Sequence, residues 1–501
     1  MLRRNKLWNK VDSKNHIEEK LSNSYSDNLS KIDEKFSNCP DIVRRKIILK
    51  NNHPALLLYV EGLVNIDLMQ RDFLNPILNM EYTDLQKQDK LGIIPVASLS
   101  FPFYTNEVVN NVLSGNTVLI VEGINYAISC SLNKFENRAM GEPITEKNIR
   151  GSHEGFIENI KTNMSLLRKL IRNKGLKFNT FNLGEATNQT LSIAYIDGIA
   201  NPELLKILCE KISSINSDGF LSLGSIEQRI TDHPNSFFPQ FLATERPDKA
   251  VAGLLEGRFV LMLDGTCDVL IVPVTFFSFF EAADDYSTNW MFGSFLRFLR
   301  IFGGFIAIFL PGLYIAILSF HYFSVPLNLL IPLAESRVRV PFPPIIEALI
   351  MEITLEMLRE SAIRLPTYIG ASIGVVGGLI IGQAAVQAGI VSNLMIIVVA
   401  VTAIASFLSP TYDMGLSLRL IRFFVMILSA VIGIIGIVIA FAFLLVHLIS
   451  MESLGQPYMQ PIFPLKLKDL VDSIVRLPMG LHKTRPNIAQ PVNKKRGNGN
   501  A

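Results

Sequence analysis

Residues 340–366 read VPFPPIIEALIMEITLEMLRESAIRLP, a helix-forming run that carries glutamates among long apolar segments almost free of charge. A charged side chain at the centre of a bilayer costs roughly 2.5–3.5 kcal/mol on insertion scales, so carboxylates in such a place need water or another reason to be there. At about 100° per residue, Glu352, Glu356 and Glu360 fall on one narrow stripe, and Glu347 lies well off it. Two readings follow from that geometry. Either the stripe faces an aqueous path, where copies around an axis would form acidic rings that attract cations, or the helix lies on the membrane surface with its acids in water.

The segments around this run set its context. Residues 301–320, IFGGFIAIFLPGLYIAILSF, hold no charged side chain and match the length needed to cross a bilayer. Arg297 and Arg300 precede them, and a basic flank marks the cytoplasmic side. Beyond residue 366, Gly370, Gly374, Gly378 and Gly382 recur every fourth residue, a spacing that lets another membrane helix approach closely. Gln383 and Gln387 offer amides for hydrogen bonds to a neighbouring helix or to water. Two further spans are expected at Ile390 to Ser409 and at about Leu420 to Leu448.

The number of crossings decides where the basic end of the chain lies. Five crossings, with the acidic helix counted, keep Arg359, Arg364, Arg419 and Arg422 inside but send the tail with Lys466, Arg476, Lys483 and Arg485 outside. Four crossings, with that helix interfacial, give a cytoplasmic tail but misplace Arg419 and Arg422. Five is the favoured count.

The 501 residues are 49% apolar with a formal net charge of +3, and their charges concentrate before Arg300. The expected class is an α/β cytosolic region of two related subdomains followed by an α-helical multi-span transmembrane domain. Its divisions are a flexible polar tail over residues 1–40, subdomains over 41–150 and 151–290, the membrane domain over 291–450 and a basic tail over 451–501. The N-terminus lacks the apolar core of a secretory signal, which places the large front end in the cytoplasm. So small a net charge, without a dense basic stripe, excludes a nucleic-acid partner. Cys39, Cys130, Cys209 and Cys267 stand far apart and read as reduced, mostly buried thiols rather than a metal site or disulfide framework.

Within the front end, Glu122-Gly123 and Asp264-Gly265 each separate two apolar strands in the manner of a hairpin. The hairpins belong to a larger repeat. LSGNTVLIVEG at 113–123 matches LEGRFVLMLDG at 255–265, and YVEGLVNIDLM at 59–69 matches YIDGIANPELL at 195–205, in the same order. Between the units, Phe156, Ile160, Met164, Leu167 and Ile171 recur at helical spacing, with the basic residues of that helix expected in solvent. No nucleotide, hydrolase or metalloprotease motif is present, and Asp197 and Asp264 are explained by their turns. No catalytic residue, cofactor or metal is expected.

Four long stretches resemble the A subunits of the GerA-type spore germination receptors, including the related stage V sporulation AF proteins. They are RVPFPPIIEALIMEITLEMLRESAIRLP at 339–366, IGQAAVQAGIVSNLMIIVVAVTAIASF at 381–407, ERPDKAVAGLLEGRFVLMLDGTCDVLIVPVTFF at 245–277 and RGSHEGFIENIKTNMSLLR at 150–168. The resemblance covers about residues 40 to 480 and departs in the tail. It implies a multi-pass receptor subunit in the spore inner membrane, working with a permease-like B subunit that recognises the nutrient and a lipoprotein C subunit. It further implies assembly into an oligomer, a pentamer, that releases monovalent cations, for which Glu352, Glu356 and Glu360 are the pore-lining candidates. An AF-type accessory channel subunit and a non-conducting signalling or scaffold subunit are the alternatives.

Overall fold

The computed structural model describes residues 19–96, 98–132, 143, 146, 150–364, 378, 382–467 and 469–497. The first unit begins with α1 (Tyr25–Lys35), β1 (Ile42–Ile48) and β2 (Pro54–Val60). It continues through β3 (Leu99–Ser100), α2 (Thr105–Leu113), β4 (Asn116–Val121) and β5 (Ala127–Ser131). The second unit contains α3 (Ile160–Leu170), β6 (Leu176–Leu183), β7 (Gln189–Ile196) and α4 (Pro202–Ser213). Its remaining elements are β8 (Leu242–Thr244), α5 (Pro247–Leu255), β9 (Phe259–Leu263) and β10 (Val269–Val272).

Both sheets are antiparallel and have the same strand order, β1-β2-β4-β5-β3 and β6-β7-β9-β10-β8. The two matched sequence stretches supply β2 and β7 in one case, and β4 and β9 in the other. Their shared residues have the same local tasks. Asn65 and Asn201 each cap the helical turn that follows, accepting from Asp67 N–H and Glu203 N–H. Gly115 and Gly257 end α2 and α5 with φ of 87° and 91°, a left-handed conformation that costs glycine little. Strand β9 is buried along its whole length because apolar clusters cover both faces of its sheet.

Two expectations for this region are corrected. Residues 19–40 do not form a separate tail: Leu21, Ile32, Phe36 and Cys39 are buried in the first unit's core, with Leu29 packed against them. Leu29, Ile32 and Phe36 have helical spacing, a signal obscured by the polar residues between them. Arg168 is not solvated on α3 but fully buried, with Nε 2.7 Å and Nη2 3.0 Å from the Asp41 carboxylate of the first unit. The same guanidinium donates to the carbonyls of Asn173 and Leu176 and lies over the Phe178 ring. The fork geometry of arginine thus clamps the two units together.

The helical part comprises α6 (Trp290–Phe320), α7 (Leu327–Arg337), α8 (Pro344–Arg364), α9 (Asn393–Phe407), α10 (Tyr412–Ile432) and α11 (Ile434–Ser450). Among the described residues, α6 and α10 are long and apolar enough to cross a membrane, and α9 and α11 are shorter apolar helices. The segment expected as one span at Leu420 to Leu448 is instead parts of two helices, interrupted at Gly433 with φ of 66°. Helix α6 leaves the second unit beside Asp285, which Arg300 Nη1 contacts at 2.8 Å. At the end of α11, His447 Nε2 lies 2.9 Å from Ser236 Oγ of the same unit. Both ends of the helical bundle, α6 beside Asp285 and α11 beside Ser236, therefore meet the second unit.

Residues after Met451 fold back on the second unit: Tyr458 is fully buried and donates to the Pro239 carbonyl at 2.7 Å. Val492 N–H donates to Ile199 O at 2.9 Å, and Arg496 pairs with Glu256 at 2.7 Å. One apolar core runs from Met164 and Val260 of the second unit through Phe279 and Phe280 to Ile308, Leu418 and Leu444 of the helices. The second unit and the helical bundle are therefore packed as one body.

Candidate functional site

Helix α8 stands against α9 and α10, and its carboxylates divide by depth. Glu347, off the predicted stripe, is fully buried; its Oε1 lies 2.9 Å from Arg337 Nη2, and its Oε2 accepts from Ser392 N–H at 3.1 Å. Glu352 is equally buried, with Oε2 2.8 Å from Arg422 Nη2 and Oε1 accepting from Thr402 Oγ1 at 3.3 Å. Glu356 is 38% exposed and lies between Arg359 Nη1 at 3.3 Å and Arg419 Nε at 3.5 Å. Glu360 is 60% exposed and pairs within its own helix with Arg364.

The stripe is thus a gradient from dry to wet, and its pairing with Arg359, Arg364, Arg419 and Arg422 is not part of the sequence expectation. Arg419 and Arg422 were assigned to a flank of the membrane, whereas they project from α10 into the bundle and are buried. Their charges are compatible with that place because the α8 carboxylates stand opposite, one helical turn apart on each helix. Arg359 completes the layer: its Nη2 donates to Ser406 Oγ at 3.1 Å, and its guanidinium lies 4.4 Å from the Phe407 ring centroid. Glu352 and Glu356 against Arg359, Arg419 and Arg422 leave this layer with one net positive charge.

The glycines also separate. Gly370 and Gly374 lie outside the described residues. Among the described residues, a methyl group added at Gly378 would meet nothing within 4 Å, and one at Gly382 would only touch Ile396 at 3.8 Å. Close helix approach within the chain occurs elsewhere, on α6. A Cβ at Gly303 would come within 2.6 Å of Leu408 Cδ1, and one at Gly312 within 2.7 Å of Ser429 Oγ and 2.9 Å of Val425 Cγ1. Gln383 and Gln387 are exposed on the chain surface.

A second polar cluster sits where the second unit, α6 and the tail meet. A cavity of about 550 Å³ there is lined by Lys249, Glu256, Arg258, Glu281, Tyr286 and Arg485, among others. Burial pushes the Glu281 carboxyl up to about 7, against the opposing pull of Arg297 and Arg258. Asp472, on the tail, is raised by burial as well.

Two α/β units of one topology, a helical bundle continuous with the second unit and a layer of buried ion pairs define a class of protein in which an α/β front end is packed onto apolar helices. The chain belongs to the family described as Bacillus/Clostridium GerA spore germination protein, which it matches over residues 30–488. It is 36% identical over 481 residues to spore germination protein KA of Bacillus subtilis (strain 168), covering 95% of this chain and 88% of that protein. To spore germination protein B1 of the same organism it is 39% identical over 443 residues, covering 87% and 91%. It is also 37% identical over 480 residues to the Bacillus subtilis membrane protein YfkQ, covering 95% and 93%. Among solved structures it is similar to the N-terminal domain of the A subunit of the Bacillus megaterium spore germinant receptor GerK3. That match is 30% identical with a TM-score of 0.39, covering 51% of this chain and 97% of the domain.

Proposed function

We propose that this chain is the A-type subunit of a nutrient-responsive germination receptor in the spore inner membrane, and that copies of it assemble around a path for monovalent cations. Its partners in this reading are a permease-like B subunit, which recognises the nutrient, and a lipoprotein C subunit. The observation that carries the reading is the exposure gradient along α8. Glu356 and Glu360 retain access to solvent while Glu347 and Glu352 are held inside the protomer. In this arrangement the inner pairs fix the rotation of α8, and the outer two carboxylates, each paired with arginine within the protomer, are the ones open to the path when several copies meet. Membership of the germination family and the apolar length of α6 and α10 support insertion in the membrane. An even number of crossings, with the soluble units and tail on the cytoplasmic face, accords with the return of α11 to the second unit.

The test is potassium release from germinating spores that carry Glu356→Gln together with Glu360→Gln. The expected result is slower release with normal receptor abundance and assembly; unchanged release would overturn the pore assignment. The charged cavity on the second unit favours a second reading, a non-conducting sensor that transmits the state of a bound solute through the common core. Reconstituted protein that binds a solute but never conducts would select it.

A further inference from the structure

The charges that meet between α8 and α10 do not balance. Glu352 is matched by Arg422 and Glu356 by Arg419, which leaves Arg359 as the surplus cation. The charges acting on its guanidinium are those of Glu356, Glu352, Arg419 and Arg422. The chain beyond α8 supplies no further counter-ion before Asp413, because residues 365–412 contain no Asp, Glu, Lys, Arg or His. A surplus charge away from water is costly, yet Arg359 is held in place. Its Nη1 lies 3.3 Å from Glu356, its Nη2 donates to Ser406 Oγ at 3.1 Å, and the Phe407 ring covers it at 4.4 Å. Glu356, the more exposed of the two, therefore already has a cation, tethered three residues further along its own helix.

We infer that Arg359 is the residue that keeps the path closed to cations: it occupies Glu356 in place of a mobile cation and gives the layer a positive sum. Opening then consists of parting Arg359 from Glu356, so that a free monovalent cation takes its place. This role rests on the cation path proposed above and adds to it the group that must yield. Its size follows from Coulomb's law. Removing one unit charge about 8 Å from a passing cation, at an effective dielectric constant of about 20, raises the local occupancy of that cation about thirtyfold.

The experiment measures potassium release, without nutrient, from spores carrying full-length variants, with receptor abundance read by immunoblot. Arg359→Gln brings the layer to zero net charge and should raise nutrient-independent release at least about tenfold. Arg359→Lys keeps the charge and should stay tight. Arg359→Gln combined with Glu356→Gln returns the sum to one positive charge and removes the carboxylate past which the leak runs, so the spores should be tight again. A purely structural role for Arg359 predicts the reverse, a double variant more impaired than either single one. Should Arg359→Gln fail to accumulate, Ser406→Asp carries the test: it keeps Arg359, places an acid beside its Nη2 and also brings the sum to zero, so it should leak. Leak from Arg359→Lys equal to that from Arg359→Gln would show that shape rather than charge is at work and would refute the assignment. Tight spores for Ser406→Asp and Arg359→Gln, with nutrient-triggered release still slowed by Glu356→Gln together with Glu360→Gln, would overturn the lock and leave the path intact. Normal triggered release in that last variant would overturn the path itself.

Discussion

The pair Glu352 and Arg422 gives the sharpest test of how α8 is held. Its atoms lie 2.8 Å apart, with Glu352 fully buried and Arg422 3% exposed. Removing one member of a buried pair strands the other charge and costs about 3–5 kcal/mol, whereas replacing both by apolar residues of similar volume is often neutral or stabilising. Glu352→Leu and Arg422→Leu should therefore each destabilise by about 3–5 kcal/mol, and the double variant should recover most of the loss. The resulting coupling is several kcal/mol. The exposed pair Glu360 and Arg364, also on α8, provides the comparison, with an expected coupling of about 0.3–0.5 kcal/mol. Equilibrium unfolding of the full-length protein in mixed micelles, followed by helical circular dichroism, reads both cycles. If Glu352→Leu alone cost less than about 1 kcal/mol, or if the two couplings were equal, Glu352 would have to be in water, and its role as an anchor for α8 would be refuted.

Arg168→Lys keeps the charge but loses the two-pronged contact with Asp41, so it should loosen the two α/β units and speed proteolytic cleavage between them. Arg168→Ala should be worse, costing about 3–5 kcal/mol in unfolding measurements because Asp41 is left buried alone. Gly312→Leu should disrupt folding, since its side chain would collide with Ser429 and Val425, whereas Gly378→Leu should leave the protomer fold intact. Loss of oligomers by size-exclusion chromatography in the Gly378 variant would place that glycine between copies. For Glu281, ordinarily near 4.5 and pushed up to about 7 by burial, the folded state binds the proton more tightly than the unfolded chain. Its contribution to stability is thus fully present below about pH 4.5 and is lost as pH rises toward about 7. Glu281→Gln should flatten that part of the pH–stability curve; an unchanged slope would show that other groups dominate it.

The duplicated α/β architecture was legible because its signals are local. Alternating apolar strands, acidic-Gly turns and helix-capping asparagines are set within a few residues, and repeating them in order reproduces the same sheet order in both units. The helix at α8 and its carboxylate stripe were legible for the same reason, since angular position on a helix depends only on spacing. The first helix was missed where its three apolar residues were diluted by polar neighbours.

What tertiary structure alone decided is which charges meet. Sequence determined that α8 carries acids and α10 carries arginines, but Glu352 and Arg422 are seventy residues apart, and the Coulomb interaction that makes both tolerable in a dry interior depends on distance in space. The same holds for Arg168 and Asp41. The break between α10 and α11 was hidden because a hydropathy window sums side chains along the chain and cannot register the turn at Gly433. Spacing fixed the faces of the helices; packing chose their partners, and with them the division of the acidic stripe into a buried anchor and an exposed end.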